Sequence, residues 1–176
     1  MAEPEITTGT SDETVLAAKA AIGSAVLASQ MLEVLFALCV RLAFGQRNVG
    51  SARELTPLEK NFSMLPVRAM LKQLQQHVDV SPEFESRLED LVERRHTLIH
   101  RWGIENTFPT STEDYIRMAA FSLQIAVDSN ALSRLFHGYV VEWMERVPEL
   151  AAKLNGRERV WLASPPTPFD SVRIEK

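Results

Sequence analysis

An arginine and two histidines stand close together near the middle of the chain and could act together on a phosphodiester. They are Arg95, His96 and His100, inside the run EDLVERRHTLIHRW over 89–102. A histidine side chain takes or gives a proton near neutral pH, and a guanidinium group binds phosphate oxygens bidentately. These two functions suit the cleavage of RNA by its own 2′-hydroxyl, which needs no metal ion and leaves a 2′,3′-cyclic phosphate end.

A helical wheel places these three residues on defined sides of one amphipathic helix. At about 100° per residue, the apolar side chains form a stripe that faces the core. The stripe consists of Phe84, Leu88, Leu91, Leu98, Ile99 and Trp102. Arg95 lies near the middle of the stripe, and His96 and His100 lie one turn apart along one edge of it. Arg94 and Arg101 project from the other side.

The position of Arg95 predicts an acidic partner inside the fold. A guanidinium group that faces an apolar core costs several kcal/mol unless it is paired and hydrogen-bonded. Glu33 is the expected partner, since it interrupts an apolar run of the first helix between Leu32 and Val34. A cleft at a subunit boundary is the alternative environment for Arg95.

The segment resembles the signature of the HEPN superfamily, whose helical nucleases carry an Arg, four to six residues, and then a His. The residue after that Arg is often Asn, Asp or His, and here it is His96. The resemblance implies an endoribonuclease of the kind found in toxin–antitoxin or antiviral systems, with Arg95 and His100 as catalytic residues assisted by His96. It also implies an antiparallel homodimer that brings Arg95, and with it Arg94, from two copies into one groove. HEPN proteins often carry a polar or acidic residue near the position of Glu33.

One residue departs from a subgroup of that family. HEPN toxins that are silenced by a nucleotidyltransferase carry a Tyr two residues after the His, where this chain has Trp102. An indole has no hydroxyl to accept a nucleotidyl group, so that mode of silencing is not expected. Trp102 could stack on an RNA base, but its place in the apolar stripe favours a core role. Arg94, Arg101, Trp102 and Glu33 are therefore supporting or substrate-binding candidates.

Three other interpretations compete with a nuclease. Five acidic residues of this helix precede Arg94, Arg95 and Arg101, an order that complements the helix dipole and requires no function. HEPN domains also include inactive members that serve as dimerisation or as ligand- and protein-binding modules. His96 and His100 at a spacing of four could hold a metal ion with Glu93, but a Thr replaces the Glu that follows the first His in zinc-protease helices. His77 and His137 lie on other segments, so neither a metal site nor a cofactor is predicted.

Composition indicates a folded protein of one domain. The chain has 176 residues, of which 45% are hydrophobic and 24% are charged, enough to build a core. Its net charge of −4 gives no general attraction to nucleic acid, so RNA binding would need a local basic cleft. Cys39 is the single cysteine, which excludes an intrachain disulfide and indicates a reducing compartment. Lys19, Glu33 and Arg41 interrupt the apolar stretch near the N-terminus, so a cytoplasmic protein without a membrane span is expected.

Helical periodicity dominates the chain and predicts the all-α class, as an up-down bundle of four main helices. The first helix is expected from about Ser11 to Phe44, and the second from Thr56-Pro57, with a kink at Pro66. The third begins at Ser81-Pro82 and the fourth at the segment 110–113. Pro148 ends the fourth helix, and a short fifth helix stops at Asn155-Gly156.

The two ends of the chain are expected to lie outside the bundle. Residues 1–10 are predicted to be disordered, the helical bundle to span 11–156, and residues 157–176 to form an extended arm. Pro165, Pro166 and Pro168 exclude helix and sheet from the arm. Its aromatic residues Trp161 and Phe169 are candidates for contact with the bundle or with a protein partner such as an antitoxin.

Overall fold

A computed structural model describes residues 12–45, 67–75, 79–106 and 108–146, together with Ala152 and Ala163. These residues form α1 (Asp12–Gly45), α2 (Val67–Gln75), α3 (Pro82–His96), a π-helical turn (Thr97–Arg101), α4 (Trp102–Glu105) and α5 (Thr112–Arg146). The described part contains no strand, which confirms the all-α class. The uninterrupted helical run of α3, the π-turn and α4 is called the motif helix below.

The helix boundaries agree with local sequence signals where the structure describes them. The first turn of α1 carries the acidic residues Asp12 and Glu13, and the helix is described as far as Gly45. Ser81 caps α3, since its Oγ accepts a hydrogen bond from the backbone N–H of Phe84 at 3.2 Å and Pro82 follows it. α5 is capped by Ser111, whose Oγ accepts the backbone N–H of Asp114 at 3.2 Å.

The two long helices, α1 and α5, pack along each other through small side chains. The Ser29 and Ser129 hydroxyls lie 3.3 Å apart across this interface, and the Cys39 thiol donates to the Phe136 carbonyl at 3.4 Å. Residue numbers rise in the same direction along both helices, from the Ser29–Ser129 contact to the Cys39–Phe136 contact, so α1 and α5 run parallel. Large apolar residues follow at the C-terminal end of both helices, where the Phe36 and Phe136 rings are 5.1 Å apart.

The motif helix packs antiparallel to both long helices. Near its start, the Phe84 ring meets the edge of Phe136 at 5.7 Å, and near its end Trp102 contacts Phe121 at 5.2 Å between ring centroids. The predicted up-down order would make the first and fourth helices antiparallel. The observed parallel run of α1 and α5 departs from that order, because helix direction is set by long-range packing rather than by the local signals that end each helix.

Several expectations lie outside the described residues. They are the N-terminal residues 1–10, the helix start at Thr56-Pro57, the kink at Pro66, the break at Pro148, the stop at Asn155-Gly156 and the arm 157–176 apart from Ala163, whose backbone is helical. Of the expected second helix, the structure describes the part that begins at Val67. Arg146, two residues before Pro148, is the last residue of α5 as it is described.

The first helix combines a buried face with a composition that a membrane span could share. Asp12–Val40 is long and apolar enough to cross a membrane by length and composition, a test that a core helix of a soluble protein also passes. One face of this helix packs against α5 in the described structure, with Ala21, Ala28 and Leu35 at most 1% exposed. Burial raises the pKa of the Cys39 thiol to about 12, which supports its assignment as a core residue.

Candidate active site

Arg95 is held by Glu33, as the sequence predicted. The Arg95 Nη1 on the motif helix donates a hydrogen bond to Glu33 Oε1 on α1. The Arg95 side chain is 30% exposed and the Glu33 side chain 34%, so the pair lies at the edge of the core. The Arg95 Nε is buried and has no hydrogen-bond partner, so Glu33 occupies only part of the donor capacity of this guanidinium group.

His96 and His100 both point outward on the motif helix, next to each other. Both side chains are exposed, and their ring centroids lie 4.9 Å apart with the rings tilted by 46°. The prediction that the two imidazoles share one edge of the helix is confirmed. Exposed imidazoles can exchange protons with solvent and with a bound molecule, which a core histidine cannot do.

A π-helical turn lies between Arg95 and His100 and was not predicted. In an α-helix a residue and the fifth residue after it lie about 140° apart around the axis. The turn over Thr97–Arg101 has more residues per turn, and Arg101 leaves it with φ −121° and ψ −2°. The smaller rotation per residue turns His100 back toward the side of Arg95. π-Turns of this kind occur frequently at functional sites.

Arg94 is fixed by two carboxylates, one of which sequence reasoning missed. Its Nη2 donates to Asp128 Oδ2 on α5 at 2.8 Å, and its Nε lies 2.8 Å from Asp90 Oδ2. Gln124 donates to the other oxygen of Asp128 at 3.2 Å. Asp128 follows the apolar run 125–127 of α5 but precedes Ser129 and Asn130, so it lacks the apolar flanks on both sides that identified Glu33.

Arg101 belongs to a third group of ion pairs, on a different side of the motif helix. It donates to Glu93, which also accepts from Arg68 of α2 at 2.8 Å, and its Nε is 3.3 Å from Glu105. The Thr97 hydroxyl accepts from Arg101 at 3.1 Å. Hydrogen bonds from Arg101 and Arg68 lower the pKa of the Glu93 carboxyl. Glu93 therefore ties α2 to the motif helix through Arg68, and Arg101 pairs with the same carboxylate.

The charges along the motif helix nearly cancel within one chain. In the described residues, Arg68 and the three motif-helix arginines named above meet five carboxylates: Glu33, Asp90, Glu93, Glu105 and Asp128. A single protomer thus presents no local excess of positive charge here. The basic cleft that RNA binding would need is not formed by these side chains alone.

The apolar members of the motif helix follow the predicted stripe with one exception. Leu88, Leu91 and Leu98 are buried, and Trp102 packs on the core and on Phe121. This contact supports a core role for Trp102. Ile99 is 42% exposed, contrary to its assignment to the core-facing stripe, because it lies at the margin of the stripe on the side of the two histidines.

An exposed aromatic ring lies just beyond the motif and was not singled out from the sequence. Phe108 is 77% exposed, yet its ring rests on Gly103, where an added Cβ would meet the nearest ring atom at 2.6 Å. Ile104, beside Gly103, is 83% exposed. A side chain at position 103 would displace this exposed ring, so the contact as observed seats Phe108 on the glycine of α4.

The assembled site offers two exposed proton-transfer groups beside one half-buried guanidinium group. Among the described residues, no group of three or more His, Cys, Asp or Glu side chains is placed to hold a metal ion. No family model matches the chain, and neither a curated protein nor a solved structure does. The chemistry open to Arg95, His96 and His100 is proton transfer and stabilisation of negative charge.

Proposed function

We propose that the chain is a metal-independent endoribonuclease of HEPN type that acts in a toxin–antitoxin or antiviral setting. One observation carries the proposal: His96 and His100 are exposed with ring centroids 4.9 Å apart, at the start of and within a π-turn that reduces the rotation per residue between Arg95 and His100. A helix that served packing alone would have no need of this turn or of two outward imidazoles. In the proposed reaction His100 transfers the proton at the 2′-hydroxyl or at the leaving 5′-oxygen, and Arg95 stabilises the charge on the phosphorane.

Arg95, rather than Arg94, is proposed as the acting arginine. Asp90 and Asp128 pair with Arg94 from two sides, while Glu33 alone pairs with Arg95 in the described structure. A phosphate oxygen can use the remaining donors of Arg95 with less rearrangement. In this proposal Glu33 orients the guanidinium group, and His96 binds substrate or relays a proton.

A homodimer is part of the proposal, because one protomer offers no positive field at the motif helix. The outer faces of the two long helices support self-association, since each exposes apolar side chains at helical spacing. These are Leu16, Leu27 and Val34 on α1 and Ile116, Val127 and Leu135 on α5. Each copy is proposed as a bundle of four main helices, without the predicted up-down order, from which the parallel run of α1 and α5 departs.

The test is cleavage of total RNA and tRNA in EDTA by purified protein. His100→Ala and Arg95→Ala are each expected to lower the rate by roughly 10²-fold or more, and products should carry 2′,3′-cyclic phosphate ends. Arg94→Ala should have the smaller effect. Arg87→Ala and His137→Ala are the matched controls, one on the motif helix before the site and one on α5. Sedimentation and circular dichroism of every variant separate loss of chemistry from loss of the fold or of the dimer.

A catalytically inactive HEPN-like module for dimerisation or for binding a ligand or protein is the second candidate. The ion pairs favour it, because Arg94, Arg95 and Arg101 each already have a carboxylate partner in the described structure. Equal inactivity of the native protein and of both catalytic variants, on every RNA class tested and with the dimer intact, would support this module and exclude the nuclease.

A further inference from the structure

We propose that His96 and His100 form a bidentate site for a divalent transition-metal ion such as Zn²⁺ or Ni²⁺. The two histidines have a spacing of four on one face of the motif helix, the spacing by which helical histidine pairs bind zinc in other proteins. Imidazole nitrogen is a preferred ligand of zinc, nickel and copper. This site concerns binding alone and does not depend on nuclease activity.

The observed geometry fits such a chelate with little movement. Two imidazoles that bind one tetrahedral ion at roughly 2.0–2.1 Å place their ring centroids about 5 Å apart. The centroids of His96 and His100 are 4.9 Å apart in the structure. The two rings are therefore already at the separation that metal binding requires, so only small rotations about the side-chain torsions are needed to aim the nitrogens.

The surroundings leave room for an ion but add no third protein ligand. Both histidines are exposed, so water can fill the remaining coordination positions. Glu93, one turn before His96, is the nearest carboxylate along the chain, and Arg68 and Arg101 occupy it. No set of three potential ligands is found in the described part of the chain. The site is accordingly an open one with two nitrogen ligands, weaker than a structural zinc site.

Metal binding at this site would compete with proton transfer. The nitrogen lone pair that coordinates the ion can no longer accept a proton, so an occupied site cannot serve in acid–base catalysis. This consequence rests on the proposed nuclease function: if the chain cleaves RNA, Zn²⁺ should inhibit it and EDTA should restore it. His96 and His100 would then both take part in RNA cleavage and bind the ion that inhibits it.

Calorimetric titration of the EDTA-dialysed full chain with Zn²⁺, and separately with Ni²⁺, tests the site directly. Each of His96→Ala and His100→Ala is expected to weaken binding by roughly tenfold or more, and the double variant to abolish it. His77→Ala and His137→Ala replace the other two of the four histidines and should bind as the native protein does. Copper bound to the native protein should show two nitrogen ligands by electron paramagnetic resonance.

The outcomes separate the metal site from the nuclease. Unchanged binding in the double variant, or loss of binding in His77→Ala, would overturn the site, whatever the protein does to RNA. Zinc binding by His96 and His100 with no effect on an observed RNA cleavage would keep the site and refute the inhibition. Zinc binding by a protein that cleaves no RNA would keep the site and refute the proposed nuclease.

Discussion

The interface between α1 and α5 consists mainly of small and apolar side chains, whereas the surface of the motif helix contains several ion pairs. The interface is lined by small and apolar residues, and its polar groups are serine hydroxyls such as Ser29 and Ser129. The motif helix is attached to α1, α2 and α5 by ion pairs of Arg95, Arg68 and Arg94. The first region gains stability from burial, which is non-directional, and the second fixes individual side chains by directional contacts.

The contrast indicates that the motif helix keeps residues that fix side-chain positions but add little to stability. An ion pair at the edge of a core adds little net stability, because both groups lose hydration when they pair. Leucine at positions 33 and 95 would pack there without that cost. The chain instead keeps Glu33 and Arg95, and a π-turn directly after them. Stability and function are therefore expected to respond to mutation in different regions of the molecule.

The largest loss of stability is expected from Phe36→Ala. Phe36 is 0% exposed and stacks on Phe136, so the change leaves a cavity between α1 and α5. The expected loss is about 3–5 kcal/mol of the free energy of unfolding, measured by urea denaturation. Leu27→Ala, at an exposed position of the same helix, is the control and should cost far less. Comparable losses in both variants would mean that the interface described here does not stabilise the fold.

Glu33→Gln is expected to have an intermediate effect on stability. The change leaves a half-buried guanidinium group without its carboxylate, at a cost of about 1–2 kcal/mol. In a double-mutant cycle with Arg95→Gln, the coupling free energy between the two positions should account for most of this cost. Glu142→Gln breaks the exposed pair with Arg146 on α5 and should cost under about 0.5 kcal/mol. Zero coupling between Glu33 and Arg95 would show that the pair does not persist in solution.

Local signals predicted the helices and the ends that the structure describes. Ser81 and Pro82 mark the start of α3, because caps depend on a few neighbouring residues. The pairing of Glu33 with Arg95 was predictable for a different reason. A charged group within an apolar stripe must find its opposite within the core, and few opposite charges occupy such stripes.

Three features could not be predicted, and each depends on more than local sequence. The parallel run of α1 and α5 is set by packing between segments about a hundred residues apart. The π-turn at Thr97–Arg101 changes the rotation per residue, and no residue type marks it. Asp128 is followed by Ser129 and Asn130 rather than flanked by apolar residues, and its partner Arg94 was expected only to project from the other side of the stripe.

The smallest effect is expected at the start of α5, which contains an ionic contact remote from the motif helix. The carboxylate of Asp114 accepts hydrogen bonds from Arg117, from the Ser111 hydroxyl at 2.8 Å and from the Thr110 backbone N–H at 3.2 Å. Arg117 first, and then these donors, hold the pKa of Asp114 well below its usual range.

The contribution of Asp114 to stability should depend on pH in one direction. Because its pKa is lower in the folded state, the stabilisation is complete above the unfolded pKa of about 3.9 and is lost as the pH falls below it. Arg117→Gln removes the main cause of the lowered pKa of Asp114. It should therefore shift the acid limb, which is the fall in the free energy of unfolding at low pH, to higher pH. Arg134→Gln, an exposed arginine farther along α5, should leave that limb unchanged. An identical acid limb in both variants would show that the contact at Asp114 is not maintained, and the capping hydroxyl of Ser111 would then account for the helix start by itself.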